Sequence, residues 1–381
     1  MKNIPYASQH IDDCDIRSVT RSLKSVWITQ GPKVKEFETA LSRYTTAGYA
    51  VCVSSGTAAL HLSVLALNVE KGDEILTSPI TFAASANCAL YAGARPRFVD
   101  IDDKTYHIDT GKLKDFLKAP SRRKKVKLVI PVHFMGTVSD IVEIRRICDE
   151  YGISVLEDAA HALGAEYKYN NSWGKVGNCK FSDAAIFSFH PIKHITTGEG
   201  GAILTNSRSI YKKALKLRHH GIVRKEKWNY DITEVGFNYR ITDFQCALGL
   251  SQLKKLADNV KVRRKLVSIY NEELSDIKEV RLPNEQKDTR GSYHLYVIRV
   301  PKAKRSALYN YLAKKGISTQ VNYTPLHLFS YYRKTFGYKL GDFPVSEKYY
   351  GECLSLPLYA SLAEFQQRKA IEAVRGFFGY E

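Results

Sequence analysis

The chain has 381 residues and a formal net charge of +18, and 44% of its residues are hydrophobic and 25% charged. This composition excludes a disordered or fibrous protein and a small disulfide-stabilised domain, and the length suits two domains of roughly 150 residues or more. The basic clusters at 122–125, 224–225 and 263–265 are scattered and match no nucleic-acid-binding motif, so we expect them to be solvated surface and expect no nucleic-acid partner.

From Tyr49 onward, short β-branched segments alternate with helical patterns. The predicted strands are 50–53, 74–77, 97–100, 128–132, 154–158, 184–189 and 201–204. Helices are predicted over 57–67 and 139–151, where apolar residues recur every three or four positions. This alternation predicts right-handed crossovers and a mostly parallel sheet, with ligands bound beyond the carboxyl ends of the strands.

After residue 252 the pattern changes to long charged helices and fewer strands. We predict a helix over 253–274, a strand over 293–300, a helix over 306–315 and a strand over 318–321. The sequence therefore indicates a large α/β domain of residues 1–252 and a smaller α+β domain of residues 253–381.

The chain carries seven cysteines, none in a CxxC pair, so we expect reduced thiols and no metal site. The longest apolar-rich stretch, 58–69, is interrupted by His61 and Ser63 and is too short to cross a bilayer. We therefore expect a cytoplasmic protein with no membrane partner.

Two charged residues follow predicted strands at the ligand-binding edge. Asp158 ends the strand 154–158, where a desolvated carboxylate needs a proton or a cationic partner, although a helix N-cap is the alternative. Lys193 follows the strand 184–189 and precedes a Gly-rich turn. Pyridoxal 5'-phosphate requires an amine, an acid at its ring nitrogen and donors for its phosphate, which Lys193, Asp158 and Ser188 supply together.

Two further segments fall at the same edge. Gly56 and Thr57 lie in a run of small residues between a strand and a helix, where free N–H groups favour a phosphate, although an ordinary helix cap has the same pattern. Phe82 follows the strand 74–77 and could stack on a flat ring or simply join the core.

Three segments, EDAAHALG, FSFHPIKHITTGEGGA and GFNYRITDFQCALGLSQL, resemble the DegT/DnrJ/EryC1/StrS family of fold-type I, aspartate aminotransferase-like sugar-nucleotide aminotransferases. The resemblance implies that Lys193 binds the cofactor covalently, that Asp158 contacts its ring nitrogen and that Phe82 stacks on its ring. It also implies that Gly56, Thr57 and Ser188 hold the phosphate and that His161 lies beside the ring oxygen. Asn238 would reach the phosphate from the other subunit of a homodimer with shared active sites, and Arg240 would contact the amino donor.

Finer features resemble the branch of the family that serves pseudaminic acid biosynthesis. They include Tyr6, the segment 26–31 with Trp27 and Thr29, the HLY run at 294–296, and Asn322 and Tyr323. The branch implies L-glutamate as donor and C4 of a UDP-linked 4-keto-6-deoxy-N-acetylhexosamine as acceptor, giving UDP-4-amino-4,6-dideoxy-N-acetyl-β-L-altrosamine. The chain departs from it in having Ser-Ser-Gly-Thr-Ala at 54–58 and Asn-Tyr-Thr-Pro at 322–325.

Other functions stay open at this stage. The alternatives are GDP-perosamine synthase or another dTDP- or UDP-4-ketosugar aminotransferase, a pyridoxal phosphate-dependent sugar dehydratase, and a non-catalytic regulator. The dehydratases have histidine at the lysine position, whereas here His194 is adjacent and Lys193 occupies that position.

Overall fold

The computed structural model of the protein describes residues 3–226 and 228–380. The strands are β1 (Tyr49–Val53), β2 (Glu74–Thr77), β3 (Arg95–Phe98), β4 (Val126–Ile130), β5 (Ser154–Asp158), β6 (Glu166–Tyr169), β7 (Ser172–Lys175), β8 (Ala184–Ser188), β9 (Gly201–Thr205), β10 (Ile222–Arg224), β11 (Tyr230–Ile232), β12 (Thr289–Arg290), β13 (Tyr296–Arg299) and β14 (Cys353–Leu356). The α-helices are α1 (Asp13–Leu23), α2 (Pro32–Thr45), α3 (Gly56–Ala66), α4 (Ala84–Tyr91), α5 (Thr110–Lys118), α6 (Pro120–Arg123), α7 (Ile141–Asp149), α8 (Arg208–Arg218), α9 (Asp243–Lys254), α10 (Leu256–Leu274), α11 (Lys302–Lys314), α12 (Ser330–Phe336), α13 (Pro344–Glu352) and α14 (Glu364–Phe378).

The main sheet has seven strands in the order β1-β9-β8-β5-β4-β2-β3. β9 pairs antiparallel with β1 and β8, whereas the neighbours from β8 to β3 pair in parallel, so the other six strands run the same way. The predicted α/β class with a mostly parallel sheet is confirmed. Both faces are covered, because adjacent residues of β8, Ile186 and Phe187, belong to different apolar clusters.

Two predicted strands are displaced by two residues. The prediction 128–132 is observed as β4, which ends at Ile130 because Pro131 has no N–H to donate to the sheet. The prediction 97–100 is observed as β3, which ends at Phe98. Asp100 instead accepts hydrogen bonds from the backbone N–H of Val345 (3.0 Å) and of Ser346 (2.9 Å) at the start of α13.

The C-terminal part has its own core. Strands β13 and β14 pair antiparallel, and a third apolar cluster gathers residues of α10, α11 and α14 around Tyr270 and Tyr296. The predicted strand 318–321 is wrong: this segment makes one isolated bridge, between Gln320 and Ser355, and its residues Gln320 and Val321 line the main cavity. The predicted domain boundary after residue 252 falls near the end of α9 and stays a prediction. The first residue of the first predicted domain, 1, and the last residue of the second, 381, lie outside the described residues.

The predicted solvated cluster at 263–265 is wrong for Arg263. This side chain is buried, and its guanidinium donates to the carbonyl oxygens of Tyr293 (3.2 Å), His294 (3.4 Å) and Leu358 (3.0 Å). It thus fixes the segment that enters β13 against α10. No helix of residues 3–226 and 228–380 combines the length and apolar character needed to cross a membrane.

Candidate active site

The carboxyl ends of β1, β2, β5 and β8 border one cavity of about 860 Å³. Parallel strands bring these ends to one edge of the sheet, where helix N-termini also begin. Ten of the residues predicted for the site line this cavity: Tyr6, Gly56, Thr57, Phe82, Asp158, His161, Ser188, Lys193, Asn322 and Tyr323.

Lys193 lies in the turn after β8, where its backbone N–H donates to the carbonyl of His190 (2.9 Å). Its side chain is half-buried, and Nζ lies 3.4 Å from Nε2 of His294. Burial lowers the pKa of the Lys193 amine to about 7, and the negative charge of Asp158 opposes that shift. A large fraction of this amine is therefore unprotonated and nucleophilic at neutral pH.

Asp158 ends β5 with only 5% of its surface exposed. Its carboxylate accepts hydrogen bonds from Oγ of Ser85 (2.6 Å) and from the N–H of Ala160 (3.1 Å). Thr81 in turn hydrogen-bonds Ser85 (2.7 Å). No basic side chain of the described residues makes an ion pair with Asp158. A buried carboxylate without a cationic partner suits the protonated ring nitrogen of a pyridine cofactor.

The first turn of α3 forms a cradle beside Ser188. Oγ of Ser55 accepts the N–H of Ala58 (3.0 Å), and the earlier N–H groups of the turn have no acceptor within the helix. A Cβ at Gly56 would lie 3.0 Å from Cβ of Ser188, so only a glycine leaves this gap open. The positive end of α3 and the Ser188 hydroxyl make the cradle suitable for a phosphate. The residues present thus fit pyridoxal 5'-phosphate at both its ring and its phosphate.

Aromatic rings form one wall of the cavity. Phe82 is 61% exposed, which rules out the core role that the sequence left open, and its ring centre lies 6.3 Å from that of Tyr323. The Tyr323 hydroxyl lies 3.4 Å from Nε2 of His161, whose ring centre is 4.3 Å from that of His294. Burial, followed by the charge of Lys193, holds the pKa of His161 well below its usual value. His161 is therefore neutral.

Four residues predicted for the site do not line this cavity: Trp27, Thr29, Asn238 and Arg240. Trp27 and Thr29 lie in an exposed segment before α2. Asn238 is exposed, and its Oδ1 accepts a hydrogen bond from Nε of Arg240 (3.1 Å). Within a single chain none of the four therefore borders the space beside Lys193.

Sequence reasoning missed two contacts of the central residues. Ser85 holds Asp158 but belongs to no motif, so nothing in the sequence indicates it. His294 belongs to the HLY run, which resembles one branch of the family without indicating what His294 does. It lies 101 positions from Lys193 along the chain. Only the folded arrangement brings its ring to the lysine amine.

Residues 9–375 match the DegT/DnrJ/EryC1/StrS aminotransferase family. Three curated relatives cover nearly the whole chain. The chain is 38% identical to UDP-4-amino-4,6-dideoxy-N-acetyl-beta-L-altrosamine transaminase of Campylobacter jejuni, with 94% of this chain and 93% of the relative covered. It is also 38% identical to the spore coat polysaccharide biosynthesis protein SpsC of Bacillus subtilis (98% and 96% covered) and 32% identical to GDP-perosamine synthase of Escherichia coli (99% and 99% covered).

Solved structures are similar over the same length. PseC of Helicobacter pylori, an aminotransferase involved in the biosynthesis of pseudoaminic acid, superimposes with a TM-score of 0.91 at 30% identity and 99% coverage of both chains. Spr1654 of Streptococcus pneumoniae, solved in its PLP-form and PMP-form, superimposes with TM-scores of 0.90 and 0.91 at 30% identity, with 99% of this chain and 98% of that chain covered. These likenesses confirm the predicted fold type.

Proposed function

Because the chain belongs to the DegT/DnrJ/EryC1/StrS aminotransferase family and is a sugar aminotransferase whose cofactor is pyridoxal 5'-phosphate, we propose that it transfers the amino group of L-glutamate to C4 of a UDP-linked 4-keto-6-deoxy-N-acetylhexosamine. The product would be UDP-4-amino-4,6-dideoxy-N-acetyl-β-L-altrosamine, with 2-oxoglutarate released. The observation that carries this proposal is the shared cavity of Lys193, Asp158 and the α3 cradle.

Each part of the cavity has a role toward the cofactor. Asp158 would hold the ring nitrogen protonated, Gly56, Thr57 and Ser188 would bind the phosphate, and Phe82 and His161 would flank the ring. The bound cofactor supplies an electron-accepting ring that stabilises the carbon from which a proton is removed. Ser85 keeps the Asp158 carboxylate in place.

Lys193 is the residue that moves the proton. With a pKa of about 7, its amine can take a proton from Cα of glutamate and, in the second half of the reaction, return a proton to C4 of the sugar. Nε2 of His294 lies 3.4 Å from this amine and would orient it by accepting a hydrogen bond in the tautomer that carries its proton on Nδ1. Since Lys193 approaches from one side of the cavity, the sugar's orientation sets the configuration at C4.

The choice of a UDP-linked sugar of the pseudaminic acid pathway is supported by the Campylobacter jejuni relative and by Tyr6, Asn322 and Tyr323, which line the cavity. The Tyr323 hydroxyl can bind a sugar oxygen. Asn322 is buried, and its Oδ1 accepts a hydrogen bond from Oγ of Ser355 (2.8 Å), which fixes its amide beside the Tyr323 hydroxyl. Trp27 and Thr29 do not line this cavity, and their contact with the substrate stays a prediction.

We propose that the working form is a homodimer with shared active sites. Phe237 and Tyr239 pack their rings on His61, at 4.7 Å and 5.9 Å between centres, while Asn238 between them is exposed. Asn238 is therefore accessible to a second subunit, whose cofactor phosphate it would contact. The apolar residues exposed around this segment, Trp228, Tyr230, Ile232 and Val235, are suited to burial at such an interface.

The test is product identification with a panel of acceptors. Holoenzyme converted by L-glutamate to its pyridoxamine form would be mixed with UDP-, dTDP- and GDP-linked 4-ketosugars, and the aminosugar would be identified by mass spectrometry and NMR. We expect amination at C4 of the UDP-linked N-acetylhexosamine. Preferred turnover of GDP-4-keto-6-deoxymannose would instead assign GDP-perosamine synthase, the alternative that the Escherichia coli relative supports.

A further inference from the structure

A second groove, of about 310 Å³, adjoins the cavity of Lys193. Its wall consists of Arg305, Ser306, Tyr309 and Asn310 from α11, together with Gln320 and Val321. Gln320 and Val321 also line the main cavity, so the two spaces meet at these residues. The groove therefore continues the space in which a substrate would bind.

The groove has the chemistry of an anion site. The only charged group in its wall is the guanidinium of Arg305, which lies over the ring of Tyr350 at 5.8 Å and makes no ion pair with the described carboxylates. Nε of Arg305 is buried and has no hydrogen-bond partner among the described residues. A buried donor without an acceptor is costly in a folded protein unless a ligand supplies one.

Neutral donors surround this guanidinium. The hydroxyls of Ser306 and Tyr309 and the amide of Asn310 belong to exposed residues of the wall. Oε1 of Gln320 accepts the N–H of Val321 (2.9 Å), which leaves the two N–H groups of its amide as donors. One fork-shaped cation with several neutral donors, and no carboxylate, matches a phosphate group.

We propose that this groove binds the diphosphate of the nucleotide-linked sugar, with Arg305 as its principal partner. The inference rests on the proposed function, which supplies a substrate carrying a sugar and a diphosphate. The sugar would occupy the main cavity, and the diphosphate would pass Gln320 and Val321 into the groove. Since Arg305 recognises phosphate oxygens, it contributes affinity without distinguishing uracil from guanine or thymine.

The experiment measures nucleotide binding to the pyridoxamine form of the holoenzyme by calorimetry. UDP and GDP should each bind Arg305→Met about 10- to 100-fold more weakly than the wild type, whereas uridine should bind both proteins equally. The matched control is Lys304→Met, which removes the same charge from the same helix; Lys304 pairs with Glu279 (3.3 Å) outside the groove. We expect its UDP affinity to stay within about twofold of the wild type, because exposed charges contribute little.

A second variant keeps Arg305 and tests the same groove, in case Arg305→Met does not fold. Asn310→Asp, at an exposed position, adds a carboxylate to the groove and should weaken UDP about tenfold by repulsion without affecting uridine. Inorganic pyrophosphate should compete with UDP on the wild type and fail to do so on Arg305→Met. UDP affinity unchanged in both variants, or no binding of UDP and GDP to the wild type, would overturn the groove as a diphosphate site.

Failure of the proposed function gives a different result. Conversion of the pyridoxal form by L-glutamate is followed by absorbance and involves no nucleotide, so Arg305→Met should perform it at the wild-type rate. An enzyme that binds UDP through Arg305 but is not converted by glutamate would refute the glutamate-dependent function and keep the groove. Normal conversion by glutamate, together with UDP binding that does not depend on Arg305, would support the glutamate-dependent function and refute the groove as a diphosphate site.

Discussion

The amine of Lys193 and the imidazole of His294 lie 3.4 Å apart, although the two residues belong to different parts of the chain. Lys193 follows a strand of the main sheet, whereas His294 precedes β13. Arg263 of α10 and the contact between His194 and the carbonyl of Ser292 (3.1 Å) fix the His294 segment. The position of the catalytic amine thus depends on how the C-terminal part packs on the sheet.

This contact predicts that His294 acts through Lys193. His294→Phe keeps a ring against His161 but removes the nitrogen acceptor, so we expect kcat to fall about tenfold, the equivalent of one lost hydrogen bond. Without the acceptor the protonated amine is less stable, and the acidic limb of the pH–kcat profile should move to lower pH. His294→Gln, which retains a polar acceptor, should recover part of the rate. A Phe variant with a lower rate but an unmoved profile would indicate a merely structural role.

Asp158 should control both the protonation of the cofactor's ring nitrogen and the pKa of the Lys193 amine. Asp158→Asn removes the charge that keeps the ring nitrogen protonated, and we expect at least a hundredfold loss of turnover. In cofactor-free protein the same change should move the pKa of Lys193 below about 7, because the carboxylate raises it. The pH dependence of labelling of Lys193 by an amine reagent measures this. Ser85→Ala keeps the carboxylate and should produce a much smaller loss; equal losses in the two variants would contradict the assignment.

Three of the residues that sequence reasoning found lie at the end of a strand or shortly after it. Asp158 and Ser188 are the last residues of β5 and β8, and Lys193 is five residues further on, so the parallel sheet alone brings them to one edge. Ser85 and His294 could not be found in this way. Their roles depend on the rotation of α4 and on the packing of the C-terminal part, which hydrophobic periodicity does not specify.

Two features of the fold differ from the local sequence pattern for the same reason. The charge run of Arg263, Arg264 and Lys265 predicts solvated side chains, yet on α10 Arg263 is buried, Arg264 is half-buried and only Lys265 is exposed. The segment 318–321 has strand-like composition, but long-range contacts with Ser355 and the cavity determine its path. Local pattern identifies elements, whereas these features are set by tertiary contacts.

Arg263 should be important for stability rather than solubility. Arg263→Met leaves the carbonyls of Tyr293, His294 and Leu358 without their donor, and we expect the free energy of unfolding to fall by about 2–4 kcal/mol. Lys265→Met, at an exposed position of the same helix, is the control and should change it by less than about 0.5 kcal/mol. Urea unfolding of the holoenzymes measures both, and similar values for the two variants would refute the structural role of Arg263.

His107 should make stability depend on pH. It is buried, hydrogen-bonds Oγ1 of Thr137 (3.1 Å), and has its pKa lowered from 6.5 to about 3 by burial and by His133. The unfolded state therefore binds more protons than the native state below pH 6.5, so stability is lost as pH falls from there towards 3. Between pH 7 and pH 5 this residue should account for about 2 kcal/mol of the loss. His107→Asn should reduce the loss by that amount; an unchanged difference between the two pH values would show that His107 titrates normally.

A shared active site predicts a specific pattern of complementation. Lys193→Ala should be inactive, and Asn238→Ala should lose its cofactor readily because one phosphate donor is missing. In a mixed dimer, the site with an intact Lys193 receives Asn238 from the Lys193→Ala subunit, so one complete site forms and the other lacks both residues. We expect about half of the wild-type activity, measured on dimers purified through two different affinity tags. If Asn238 acted within its own chain, neither site would be complete and the mixed dimer would be no more active than Asn238→Ala.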